Sequence, residues 1–309
     1  MLRQTLLYLS RNELAYRLTT GFPLSRAAAR RFVAGERLAD AIAATRASNA
    51  KGIHAVLDYL GENVISRSEA RAAGDEYIAA LSAIAQNGVQ ADVSVKLTQM
   101  GLDIGDDFCY ENVERIVAQA ASCHRSVGMD MEGSPYTERT LQIYRRLRER
   151  HSNVSVAVQA YLYRSREDVT RLVDEGIGSL RLVKGAYDEP ASIAFPQKED
   201  VDANFLRLIE IMMRPDALAR GAYCAIATHD EKIIRWAILY AYRHDVPRDR
   251  FEFQMLYGIR RDLQERLAAE GYTVRVYIPY GTHWYPYFMR RLAERPANLL
   301  FLLRNLFRG

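Results

Sequence analysis

Close to its C-terminus the chain carries GTHWYPYFMRRLAERP, residues 281–296. Read as a helix, this stretch places Tyr287, Arg290, Arg291 and Glu294 at i, i+3, i+4 and i+7, so a phenol, two guanidiniums and a carboxylate share one face. Adjacent arginines repel each other and lose side-chain entropy when ordered. A small planar carboxylate, which can take both forks bidentately, offsets both costs. The chemistry expected is capture of a carboxylate. An arbitrary Arg-Arg pair is more often a solvated basic face, so the neighbouring polar groups decide between the two.

Those groups recur at the ends of short apolar runs. Lys96, Asp130, Gln159, Lys184, His229, Gln254 and Tyr277 each fall in the last residues of, or just past, one of eight β-branched stretches, 53–60, 91–97, 126–132, 154–161, 178–185, 222–229, 251–256 and 273–279. Helical segments such as TERTLQIYRRLRER and EKIIRWAILYAYR lie between them, with the 281–296 motif as the eighth. Eight alternations over roughly 240 residues give an α/β fold of the (β/α)8 TIM-barrel type, in which all C-terminal strand ends share one rim. A doubly wound open sheet is the structural competitor.

Side-chain alternation within the strands agrees with a barrel. Val93 and Val95 oppose Ser94 and Lys96; Met129 opposes Gly128 and Asp130; Leu180 and Leu182 oppose Arg181; Val274 and Val276 oppose Arg275 and Tyr277. One parity suits the helices and the other the barrel interior. Charges inside a strand are costly unless paired, so Lys96, Asp130 and Arg181 are expected to form interior ion pairs or to serve a site. The fifth run continues into KGAYDEP, where Gly185 and Ala186 let backbone approach a ligand and Lys184 adds a positive charge. Residues 191–202 read as a long loop over the rim.

A chain of 309 residues suits one barrel with appended segments. The expected division is an N-terminal helical arm over 1–50 (helices 2–19, 24–34 and 38–50), a catalytic barrel over 51–296 and an apolar C-terminal helix over 297–309. A net charge of +4, from 42 basic and 38 acidic residues spread along the chain, argues against a nucleic-acid partner. Three cysteines without a CxxC pair suit a reducing, cytoplasmic compartment. No apolar run is long enough to span a bilayer and no small-residue cleavage site follows the N-terminus, so neither anchor nor signal peptide is expected. The six histidines include no HxH or HExxH spacing, and no metal is expected.

The stretches VSVKLTQMG, DMEGS, QAYLYRS, RLVKGAY, ATHD, FEFQMLYGIRRDL, RVYIPYG and YFMRRLAE, in this order over residues 93–294, resemble the flavin-dependent proline dehydrogenases, including that domain of bifunctional proline-utilisation proteins. Asp188 and Tyr257 depart from the family's usual residues. The resemblance implies oxidation of L-proline to 1-pyrroline-5-carboxylate, with hydride passed to N5 of non-covalent FAD and electrons then to a quinone.

Residue by residue, the resemblance gives Lys96, Arg290 and Arg291 the proline carboxylate, and Tyr277 and Tyr287 the proline ring. Asp130 orders the pocket and Arg181 reaches flavin N5, the two catalytic assignments. Met131, Gln159, Lys184, Gly185, Ala186, Thr228 and His229 line the cofactor, and Glu62 pairs with a helix-eight arginine when the lid closes.

Two rival readings remain at this point. A barrel Schiff-base lyase would use Lys184 or Lys96 as its amine, and a flavin-free amino-acid-binding barrel would keep only the carboxylate clamp. The C-terminal helix either caps the barrel or seats the protein peripherally on a membrane, with Arg304 and Arg308 near lipid head groups.

Overall fold

The computed structural model describes residues 29–294. The first expected helix of the arm, the start of the second and the apolar segment 297–309 lie outside the described residues.

Eight strands close into one parallel barrel in sequence order: β1 (His54–Tyr59), β2 (Ala91–Val95), β3 (Val127–Met129), β4 (Val154–Gln159), β5 (Ser179–Val183), β6 (Tyr223–Ala227), β7 (Phe251–Leu256) and β8 (Val274–Tyr280). β8 pairs with β1, Leu57 opposite Ile278, and closure leaves no sheet edge. Each strand lies within its apolar run, except that Tyr280 extends β8 by one residue.

Alternation is the reason these sequences close. Val93, Val95, Val127, Met129, Leu180, Leu182, Val274 and Val276 are fully buried against the helical shell. Their neighbours of opposite parity fill the interior. In the N-terminal half, Arg275 holds Glu252 at 2.9 Å and Asp92 at 2.6 Å, an ion cluster that ties β8 to β7 and β2.

The shell consists of α1 (Leu38–Asn49), α2 (Arg67–Gln86), α3 (Asp106–Ser122), α4 (Ser134–Arg148), α5 (Ser165–Asp174), α6 (Lys198–Met213), the short α7 (Pro215–Ala219), α8 (Glu231–Arg243) and α9 (Arg261–Ala269). α2 shows the logic. Ser66 caps its N-terminus, and Ala70, Ala73, Tyr77, Ala80, Leu81 and Ile84 recur at helical spacing to bury one face.

Two placements differ from the sequence expectation. α1, read as part of an appended arm, packs against β8 and β1 with Ala41, Ile42 and Thr45 buried, where a regular alternation puts the helix after β8. α10 (Trp284–Glu294) instead turns inward over the rim. Its apolar face joins Ala29, Phe32, Val33, Leu60 and Ile259 in a cluster separate from the main core. The short turn after β8 allows this, because Ala34 N donates to Pro279 O at 2.9 Å and Gly281 N to Gly35 O at 3.0 Å.

The second difference is that α6 begins at Lys198, inside the stretch read as loop, since Glu199 and Asp200 suit a helix N-terminus. The remaining connection packs down beside β4, with Phe195 N on Tyr161 O and Tyr163 N on Ile193 O. Among the described residues no helix is long and apolar enough to cross a membrane.

Candidate active site

The C-terminal rim surrounds a cavity of about 710 Å³. Every site residue singled out in the sequence lines it, apart from Glu62, which stands beside it on the β1–α2 loop.

One half is built on charge. Lys96, just past β2, donates to Asp58 Oδ1 at 2.9 Å, Asp130 Oδ2 at 3.0 Å and the Tyr277 hydroxyl at 3.2 Å. Tyr277 donates to Asp130 Oδ2 at 2.6 Å. Arg181 crosses the interior from β5 and places Nη1 2.6 Å from Asp130 Oδ1 and 3.1 Å from Ser94 Oγ. Ser94 itself donates to Asp130 at 2.7 Å.

Burial alone would lower the Lys96 ammonium, but Asp58 and Asp130 outweigh it and hold it well above its usual range. Burial would likewise raise Asp130, but Lys96 and Arg181 pull its carboxyl far below the usual value. Asp58, wholly buried, moves up because desolvation exceeds the attraction of Lys96. The result is an ordered, internally neutralised group of two carboxylates and two cations at the floor of the cavity.

α10 supplies the cover. Tyr287, Arg290 and Arg291 all face the cavity, with the Arg291 guanidinium 5.0 Å from the centre of the Tyr287 ring. Arg290 Nη1 lies 3.0 Å from Glu62 Oε1. The fourth member of the expected face, Glu294, ends the helix and its side chain is outside the described set.

The other half, on β4 to β7, combines apolar walls with the charged side chains of Lys184, Lys198, Asp230 and Glu231. Met131, Ala157, Val183, Gly185, Ala186, Ala227, Met255 and Leu256 form its walls. Gln159 donates to the Glu132 carbonyl at 2.9 Å, Thr228 accepts from Asp230 N at 3.1 Å, and His229 Nε2 accepts from Leu256 N at 3.0 Å. Lys184 lies between Asp202 at 2.5 Å and Asp230 at 2.9 Å. Gly185 adopts φ +120°, and a Cβ there would come within 2.4 Å of the Tyr161 ring, so the turn past β5 requires glycine.

Three residues at the site escaped the sequence reading. Asp58 carries the inward parity of β1, the one signal that could have found it. Glu132 lies within DMEGS but is consumed by Thr98 at 2.9 and 2.6 Å. Tyr187 follows KGA, lines the cavity, and has its phenol raised by burial and by Glu132. Among the described residues no group of three or more His, Cys, Asp or Glu is placed to hold a metal.

A parallel barrel with a helix carrying two arginines folded over its C-terminal rim, above one cavity, is the arrangement of a barrel enzyme with its site at the strand ends. The sequence profile of proline dehydrogenase matches residues 41–304. Proline dehydrogenase 1 of Bacillus subtilis subsp. natto is 41% identical over 308 residues, covering 100% of both chains. The proline dehydrogenase of Deinococcus radiodurans is 42% identical over 286 residues, 91% of this chain and 90% of that one.

In structure, proline utilization A from Bdellovibrio bacteriovorus, inactivated by N-propargylglycine, superposes with a TM-score of 0.82 at 22% identity. That match covers 91% of this chain and 34% of the larger protein, and bears on fold alone. The chain belongs to the proline dehydrogenase family. It is an oxidoreductase of proline, catalysing the first step of proline catabolism, and its family implies a flavin cofactor.

Proposed function

We propose that the chain oxidises L-proline to 1-pyrroline-5-carboxylate with non-covalent FAD, and that a quinone takes the electrons. The observation that carries this reading is one cavity that brings Lys96, Arg290 and Arg291 together on one side and the apolar walls of β4 to β7 on the other, with Arg181 lining it from β5.

The residues fit a flavin. Arg181 Nε is buried and has no hydrogen-bond partner among the described residues, a donor suited to a flavin ring nitrogen or carbonyl. Gln159, Met131, Thr228 and His229 would hold the ring system and its ribityl side, with Lys184, Gly185 and Ala186 beyond them. Bound there, a flavin would supply the hydride acceptor for the ring carbon beside the proline nitrogen.

The protein's own part is orientation and electrostatics. Arg290 and Arg291, with Lys96, would hold the proline carboxylate, while Tyr277 and Tyr287 pack on the ring and fix which face it presents. Asp130 keeps Lys96, Tyr277 and Arg181 in register through four hydrogen bonds that also involve Ser94. Glu62 holds Arg290 and with it the helix over the rim. Closing the rim excludes water and strengthens each of these interactions.

The Schiff-base alternative loses support from the same geometry. The Lys96 ammonium has three acceptors and Lys184 sits between two carboxylates, so both are engaged by ion pairs rather than open to a carbonyl. A quinone acceptor would put the enzyme in the cytoplasm at the inner face of a membrane. Residues 297–309, which would seat it there, lie outside those described.

Hydride leaves only when the proline nitrogen carries a free lone pair to form the C=N bond. The rate of flavin reduction by proline should therefore rise between about pH 7 and about pH 9 as the ammonium loses its proton. A flat profile in stopped-flow reduction would contradict the reading.

A further inference from the structure

The loop between β1 and α2 carries Glu62, and what fixes that loop is a chain of buried hydrogen bonds reaching back through two strands. Asn63 sits in the left-handed region at φ +58°, a conformation that asparagine tolerates but does not prefer. Its N–H donates to Thr98 Oγ1 at 3.0 Å, and the next N–H, of Val64, donates to the Thr98 carbonyl at 3.1 Å. Two successive amides of the loop thus end on one residue.

Thr98 is itself fully buried and held by one carboxylate. Its N–H donates to Glu132 Oε1 at 2.9 Å and its hydroxyl to Glu132 Oε2 at 2.6 Å. The hydroxyl therefore accepts from Asn63 while donating to Glu132, an arrangement in which each bond polarises the next. Glu132 is 4% exposed and follows β3, and its carbonyl accepts from Gln159 at the end of β4. A buried carboxylate is costly, and this one spends both oxygens on a residue whose remaining hydrogen bonds go to the Glu62 loop.

We infer that Thr98 and Glu132 are positioning residues which latch the Glu62 loop and so hold the Glu62–Arg290 pair in place over the rim. The inference rests on the reading above in which that pair keeps α10 closed over proline. Neither residue touches the substrate pocket's reacting groups. Their effect on turnover passes through Glu62.

Two measurements separate the latch from the role of the pair. Hydrogen exchange of the Asn63 amide reads the latch directly. Thr98→Val and Glu132→Gln should speed it about tenfold, with Thr98→Ser close to wild type and the barrel amides of β5 unchanged as an internal reference. Unchanged exchange at Asn63 in Thr98→Val overturns the latch whatever the activity.

A double-variant cycle on the KM for L-proline reads the consequence. Glu62→Gln and Thr98→Val should each raise KM about tenfold, and the double variant should be no worse than either alone. Multiplicative effects overturn the inference that Thr98 acts through Glu62. A silent Glu62→Gln overturns the closing role of the ion pair and the latch's part in turnover together, leaving exchange at Asn63 to judge the latch as structure.

Discussion

At the scale of single residues, the site is a set of charges whose neutralisation differs from place to place. Lys96, Asp58, Asp130 and Arg181 pair with one another inside the barrel, whereas Arg290 is held by one carboxylate at the rim. The first group is fixed by several mutual contacts and the second by one. Arg290→Met and Arg291→Met should each raise KM for proline roughly 30-fold or more, since removing one partner of a desolvated charge pair costs about 2 to 5 kcal/mol. Wild-type KM in both variants would remove the carboxylate clamp. The spacing of Tyr287, Arg290 and Arg291 made their shared face legible in the sequence, because a helix converts i, i+3 and i+4 into a face. Nothing local marks Asp58, Thr98 or Glu132 in the same way. Their roles come from partners 34 to 38 positions away, and pairing at that separation leaves no trace in the spacing of either residue.

At the scale of elements, the strands were readable because period-two alternation is forced by burial of one face, and the runs 91–97, 178–185 and 273–279 show it plainly. The position of α10 was not readable. Its sequence is amphipathic whether it packs beside β8 or above it, and the choice depends on α1, 235 to 256 residues earlier in the chain by the bounds of the two helices, filling the outer groove. β3 supplies a test of how elements set the site. A Cβ on Gly128 would lie 2.5 Å from Arg181 Nη2 and 3.2 Å from Ser94 Oγ, in a guanidinium already pinned to Asp130. Gly128→Ala should therefore displace Arg181 and slow flavin reduction by at least about tenfold with an unchanged far-UV circular dichroism spectrum. Wild-type reduction rates would show that Arg181 can move without consequence.

For the molecule as a whole, the buried polar interior ties stability to pH, and the sign can be worked out. Lys96 is raised above its ordinary 10.5, so its contribution is present below that value and lost as pH climbs past it. Tyr77 and Tyr277, raised by burial above their ordinary 10.0, act in the same direction because the unfolded chain loses those protons first. On the acid side, Asp130 favours folding above its ordinary 3.8 while the raised Asp58 opposes it, so those two partly cancel. Thermal unfolding should accordingly show Tm falling steeply beyond about pH 10, and a level Tm to about pH 11 would contradict the assigned ion network. The measurement that tests the central claim most directly is the visible absorbance of the purified protein, loaded with FAD and kept free of oxygen, before and after L-proline. The expected result is a flavin spectrum that bleaches with L-proline and not with D-proline. A protein that takes up no flavin, or one whose flavin stays oxidised in excess L-proline, would contradict it.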